Sequence, residues 1–402
     1  MVGYLLSTNR KSFAFVVDAG EDRVVCMGGN TTLGGNPTAL NPDNSLMTFT
    51  YSWQPTTGLD CANCPNPTLS NASESQNYTL TVVDTGGFTC TEAVLIEVTS
   101  VSVFELSFSG EDNHTIVKDN DEMEYTAPHW KDNSSPLDGD ADDSPVDIKY
   151  PVCYESGKKL EVSAIFKTGL LTLPSITPIP IRVRGSCSDG ITIPSTEASY
   201  NNLLRTIEVS NALSTPLASS KVNYYAPFEI EWEISFDGGI TWCSAGVTKN
   251  PLYVTLGKPI QPYKPPKYDG KEISEVKLFH TLVHNGCILA KENNNKESVL
   301  NSVWSDFENN EVRRIDGFQL TYYANYQCTS GTTNTLLATG DGQCGAWTRF
   351  FLDILKAQGI NYSMEYITIA VNPSLTDGAQ FMFIKEWKIA IEAYAQLILG
   401  DG

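Results

Sequence analysis

At 402 residues the chain can hold about two to four domains, each large enough for its own core. Its net charge of −20, from 27 basic and 47 acidic residues, argues against nucleic acid or an anionic membrane surface as the main partner. No apolar run approaches the length of a membrane span.

Residues 1–15 are a leader of unclear role. Two basic residues follow a short apolar start, with no long apolar core and no small-residue cleavage site, so this is not read as a signal peptide. The ten cysteines are 26, 61, 64, 90, 153, 187, 243, 287, 328 and 344. Spread over β-rich segments, nine of them fit a disulfide-permissive compartment better than a reducing cytosol. The expected location is secreted or cell surface. With no export signal in view, the chain is expected to be a fragment of something longer.

Residues 16–99 alternate in short strands split by turn clusters such as Gly28-Gly29-Asn30 and Thr85-Gly86-Gly87, the pattern of an antiparallel β-sandwich. Thr48 to Trp53 and Tyr78 to Val83 are its clearest strands. Cys26, Trp53 and Cys90 follow the order of an immunoglobulin-type core. The segment resembles the PKD/Ig-like modules of Bacteroidetes-type surface proteins. The resemblance rests on Asp18 to Asp22 leading to Cys26-Met27-Gly28, on Tyr51-Ser52-Trp53-Gln54-Pro55 with Gly58-Leu59, on Cys61 to Pro67, and on Tyr78 to Asp84 before Cys90. It implies a spacer or adhesion module. Inside such a sandwich a Cys26–Cys90 bridge and a local Cys61–Cys64 disulfide are expected, ahead of a shared zinc site.

Residues 100–256 read as one or two further β domains, with strands at Lys159 to Phe166, Ile179 to Arg184 and Phe228 to Ile234. Ser235 to Trp242 matches an Asp-box hairpin, and a single copy is read as a turn device. Asp138 to Asp143 alternates carboxylates, but Asp143 and Lys149 stand where an EF-hand needs Gly and Glu. It is read as a solvated acidic loop.

Residues 257–270 are a Pro-rich linker, and 271–402 are α+β in pattern. His280 and His284 stand four apart with Cys287 close by, but on a β-branched, apolar segment without an intervening glutamate. They are read as packed or surface histidines, and no metal or cofactor is expected. Val299, Leu300, Val303, Trp304 and Phe307 have helical spacing, with Asn295 and Ser298 as caps. Phe318 to Tyr323, Tyr366 to Val371 and Phe381 to Ile389 read as strands.

Cys344 stands at the threshold of an amphipathic helix, Thr348 to Gln358, closed by Gly359. There the unpaired backbone N–H groups and the helix dipole favour a thiolate. Gly342-Gln343-Cys344-Gly345-Ala346-Trp347, the following Phe350 to Leu355, and the exit Ala357 to Ile360 resemble the nucleophile helix of the papain/transglutaminase-like superfamily. The resemblance implies acyl transfer. Cys344 would attack a carboxamide or peptide carbonyl, with a later His as base and an Asp to orient it. No histidine follows Cys344 in the chain, so the domain is expected to be C-terminally truncated and its site half-built.

The leading expectation is a multidomain β-module surface protein carrying a cysteine acyl-transfer domain, of peptidase or transglutaminase type, with Cys344 as nucleophile on a protein or peptide substrate. The alternative is a non-catalytic structural or adhesion protein, whose partner is a cell-surface or matrix polymer. Either is expected to be a monomer.

Overall fold

The computed structural model describes residues 15–41, 48–120, 122–132, 148–170, 180–260, 278–308, 312–322, 324 and 331–361. The acidic loop 138–143 and the strands expected at 366–371 and 381–389 lie outside the described residues.

The N-terminal module is a four-stranded sheet. Phe49–Gln54 pairs with Gln76–Asp84, which pairs with Thr89–Thr99, which in turn runs parallel to Arg23–Cys26. The period of two along Gln76–Asp84 buries Tyr78, Leu80 and Val82 on one face, against Trp53, Val94 and Ile96. Two short ladders, Val16–Val17 with Ala39–Leu40 and Thr31–Thr32 with Thr68–Leu69, cover that face and bring in Leu33.

One residue, Ser100, separates this module from the next strand. Val101–Ser109, Lys159–Thr168, Thr206–Pro216, Thr192–Asn201, Ile181–Cys187, Asn223–Ser235 and Cys243–Thr255 lie side by side, each antiparallel to the next. Val152–Glu155 closes the far edge in parallel with Cys243–Thr255. The sheet folds over a single core that includes Leu106, Phe166, Val183, Ile207, Trp232 and Leu252, giving a β-sandwich. Asn250 holds its open edges together by donating its Nδ2 to the carbonyls of His129 (2.8 Å) and Tyr150 (3.0 Å).

The two β units are covalently joined. Cys26 is disulfide-bonded to Cys243, and Val24 and Cys26 pack on the sandwich core. The expected Cys26–Cys90 bridge is therefore corrected. Cys26 pairs with Thr99 at one end of Thr89–Thr99 and Cys90 stands near the other, roughly 30 Å away at strand rise. Cys61 and Cys64 are likewise free thiols rather than a disulfide, with Cys64 Sγ donating to the Cys61 carbonyl at 3.3 Å.

The third core is helical. It contains α1 (His280–Leu289), α2 (Lys296–Glu308), α3 (Thr333–Thr339) and α4 (Cys344–Ala357). Asn295 caps α2 by accepting from Ser298 N at 2.9 Å. Among the described residues of the strand expected over 318–323, Thr321–Tyr322 forms a strand, paired in parallel with Asp341–Gly342 just before α4. This core is not closed by the helices alone: Ile116, Val117, Cys153, Val222 and Tyr253 of the sandwich and its loops belong to it. None of the described helices is long and apolar enough to cross a membrane.

Candidate functional site

The chemistry-bearing side chains gather where α1 lies against the sandwich. Val117 fixes the entry, its N donating to Leu278 O (3.0 Å) and its O accepting from His280 N (2.9 Å). Asp119 then takes up the first turn of α1, accepting from Thr281 N (3.1 Å) and Thr281 Oγ1 (2.8 Å), as carboxylates do at helix N-termini. Burial still holds the Asp119 carboxyl above its usual range, opposed by those two hydrogen bonds.

The segment containing His280 and His284 is a helix, despite its β-branched residues, because its apolar side is buried in the third core. One turn apart, the two imidazoles share a face and meet the same hydroxyl. Tyr253 Oη lies 2.9 Å from His280 Nε2 and 3.0 Å from His284 Nδ1. Tyr125 Oη, from the loop after Val117, lies 3.1 Å from the other nitrogen of His280. Tyr224 stacks on Tyr253 at 4.9 Å and meets the ring of His284 edge-on at 5.6 Å.

Burial sets the protonation state here. It pushes His280 down to about 4, with His284 adding to the shift, and pushes His284 down to about 4. The Tyr253 phenol is driven far above its ordinary value, chiefly by burial. The network is therefore neutral near pH 7. Next on the same helix, the Cys287 thiol donates to Val254 O (3.7 Å) and accepts from Gln358 Nε2 (3.3 Å). Burial pushes it up to about 12 and raises the Cys153 thiol of the same core, so neither is a nucleophile.

Cys344 is the first residue of α4. Gln343 precedes it in extended conformation and makes no side-chain cap hydrogen bond. Trp347, one turn on, ties the helix to the short ladder by donating Nε1 to Thr321 O at 3.0 Å. The buried carboxyl of this helix, Asp353, accepts from Thr333 Oγ1 and is raised to about 6 by burial. Nine residues along α4, it lies about 13 Å from Cys344 by helical rise, too far to act on it. His280 and His284 direct their ring contacts to Tyr125, Tyr224, Tyr253 and each other.

Among the described residues no three His, Cys, Asp or Glu side chains converge as a metal site requires. Sequence reasoning singled out His280 and His284 but missed the tyrosines that engage them. Alternation along Cys243–Thr255 marks a strand, yet nothing local says that Tyr253 will face a helix that begins 27 residues later. The Asp-box hairpin is a turn: Asp237 accepts from Ile240 N (3.0 Å), Thr241 N (2.9 Å) and Ser235 Oγ (2.6 Å).

No protein-family model and no curated protein matches the chain. Among solved structures it is similar to a PKD domain, at 27% identity over 20% of this chain and 82% of that one, with a TM-score of 0.18. It is also similar to the fibronectin(III)-like modules of Clostridium thermocellum CbhA, at 12% identity, 60% and 94% coverage and a TM-score of 0.26. The N-terminal Ig1-2 module of the Drosophila receptor protein tyrosine phosphatase DLAR matches at 7% identity, 60% and 98% coverage and a TM-score of 0.18. At such scores these likenesses carry no argument, and the sandwich assignment rests on the strand registers above.

Proposed function

We propose that this chain is a non-catalytic structural or adhesive protein of an extracellular or cell-surface setting, in which the two β units form a stiff spacer bearing the helical part. The observation that carries this reading is the Cys26–Cys243 disulfide across a junction of one residue. A disulfide persists in an oxidising compartment, and a covalent clamp beside so short a linker removes the hinge motion expected between modules. Thr99 Oγ1 and Thr168 Oγ1, 2.9 Å apart, and Gly169 N donating to Ser100 O at 3.3 Å support the same junction. The test is non-reducing peptide mapping of protein secreted through an oxidising compartment, with small-angle scattering before and after reduction. A Cys26–Cys243 cross-linked peptide and a scattering profile that broadens on reduction support the spacer. Two free thiols at these positions, or a profile indifferent to reduction, would sink it.

A second reading is the papain/transglutaminase-like one, with Cys344 as an acyl-transfer nucleophile. What favours it is the position of Cys344 at an N-terminus that Gln343 leaves without a side-chain cap. Selective iodoacetamide labelling of Cys344 near neutral pH, abolished in Cys344→Ala, is its expected result. Labelling no faster at Cys344 than at Cys61 or Cys90 removes it.

A further inference from the structure

We propose that the seam between α1 and the sandwich is an acid-sensitive latch: His280 and His284 hold one added proton between them with the seam closed, and a second proton parts α1 from the strands that hold it. The inference is independent of the function proposed above. The geometry of the seam sets that count. Tyr125 Oη, His280, Tyr253 Oη and His284 form one chain of hydrogen bonds, at 3.1, 2.9 and 3.0 Å. With both rings neutral each link uses one proton, and the chain can run in either direction. One added proton also fits. A charged His280 donates from both nitrogens, to Tyr125 and to Tyr253, while the Tyr253 hydroxyl donates to His284 Nδ1. A charged His284 donates Nδ1–H to Tyr253, whose hydroxyl then donates to His280 Nε2. Two added protons do not fit. The single Tyr253 oxygen must then accept from two cations whose ring centres are 6.3 Å apart.

Among the described residues no carboxylate is bonded to either imidazole to offset that repulsion. The two strands under α1 present the phenol rings of Tyr224 and Tyr253. The loop after Val117 brings Tyr125 and Lys118, whose ammonium lies 5.7 Å over the Tyr125 ring. Asp119 of that loop is committed to Thr281, and Arg314 beside it to Asp316. The end of α4 presents the Gln358 carboxamide, and α2 adds Val299 and Val303 to the shared core. Burial keeps the Cys287 and Cys153 thiols neutral. His280 is also the first residue of α1, where the helix dipole opposes a cation. Burial holds both imidazoles down at about 4, whereas rings released to water return toward 6.5. The open form therefore binds protons more readily. The latch is at full strength above about pH 6.5 and weakens as pH falls toward about 4.

The test is hydrogen exchange of the intact chain between pH 7 and 4, corrected for the intrinsic exchange rate. The wild type is compared with His284→Asn, whose amide can replace Nδ1 as a partner of Tyr253. Opening of α1 should rise by about 100-fold per pH unit in the wild type, where two protons drive it, and by about tenfold in the variant, where one does. The sandwich strand Thr206–Pro216 should stay protected over the range in which α1 opens. Protection of α1 that is indifferent to pH, that is lost together with the sandwich strands, or that has the same slope in His284→Asn overturns the latch. If the variant does not fold at pH 7, an NMR titration of the wild-type rings decides. The second ring charging only as α1 loses protection supports the latch, and both rings charged on a protected α1 overturns it.

Discussion

Cys26, at the end of the strand Arg23–Cys26 of the N-terminal module, is bonded to Cys243, at the start of the strand Cys243–Thr255 of the sandwich, 217 residues later and with Cα atoms 6.0 Å apart. The bond ties together two units that the backbone already joins through Ser100, so the junction is held at two points.

Breaking that bond should therefore cost more than breaking a bridge inside one module. Cys26→Ser with Cys243→Ser is expected to lower stability by about 2–4 kcal/mol, and to increase amide exchange around Ser100 and Thr168. Urea unfolding and hydrogen exchange measure the two effects. Unaltered exchange at the junction would mean that the hydrogen bonds there suffice without the disulfide.

Trp232 is fully buried in the sandwich core, meets Phe166 edge-on at 5.5 Å, and donates Nε1 to Thr248 Oγ1 at 3.1 Å. Trp232→Ala leaves a large cavity and an unpaired buried hydroxyl, and should cost about 3–5 kcal/mol in equilibrium denaturation. The N-terminal module, whose core centres on Trp53, should show no change in the exchange rates of its sheet. A loss below about 1 kcal/mol would mean that the sandwich core is not packed around this ring.

His129 is buried, and its Nδ1 accepts from Phe108 N at 3.2 Å. Burial pushes it from 6.5 down to about 4. The unfolded chain binds this proton more readily, so the stability His129 contributes is fully present above about pH 6.5. It is lost as pH falls toward about 4. An NMR titration of the four histidines should find His129 neutral at pH 5.5, and a midpoint near 6.5 would refute its burial.

Gly359 ends α4 at φ 72°, and a Cβ there would lie 2.6 Å from the carbonyl carbon of Gly257. Gly87 has φ 81° with nothing near its missing Cβ. Gly87→Ala should cost about 1 kcal/mol, the left-handed penalty alone. Gly359→Ala should cost clearly more, because the backbone of 257–260 must also move away from α4. Thermal or urea unfolding of the two variants side by side decides it; equal losses would mean that the contact yields freely.

Local pattern carried much of this molecule. The alternation of Gln76–Asp84, the helical spacing of Val299 to Phe307 and its Asn295 cap, and the aromatic stripe of α4 can all be read from neighbouring residues. These features depend on periods of two or about 3.6, which the chain displays wherever one face is buried. The partner of Cys26 could not be read that way. Nor could the tyrosines around His280 and His284, or the helical state of the histidine segment itself. Each depends on which surfaces meet across distant parts of the chain, and such meetings leave no local period. Strand order brought Cys243 beside Cys26, and packing of α1 on the sandwich brought Tyr253 between two imidazoles. Sequence alone determined β modules followed by amphipathic helices; only the tertiary structure decided which reactive groups share a site, because burial and hydrogen-bond partners are properties of the assembled core.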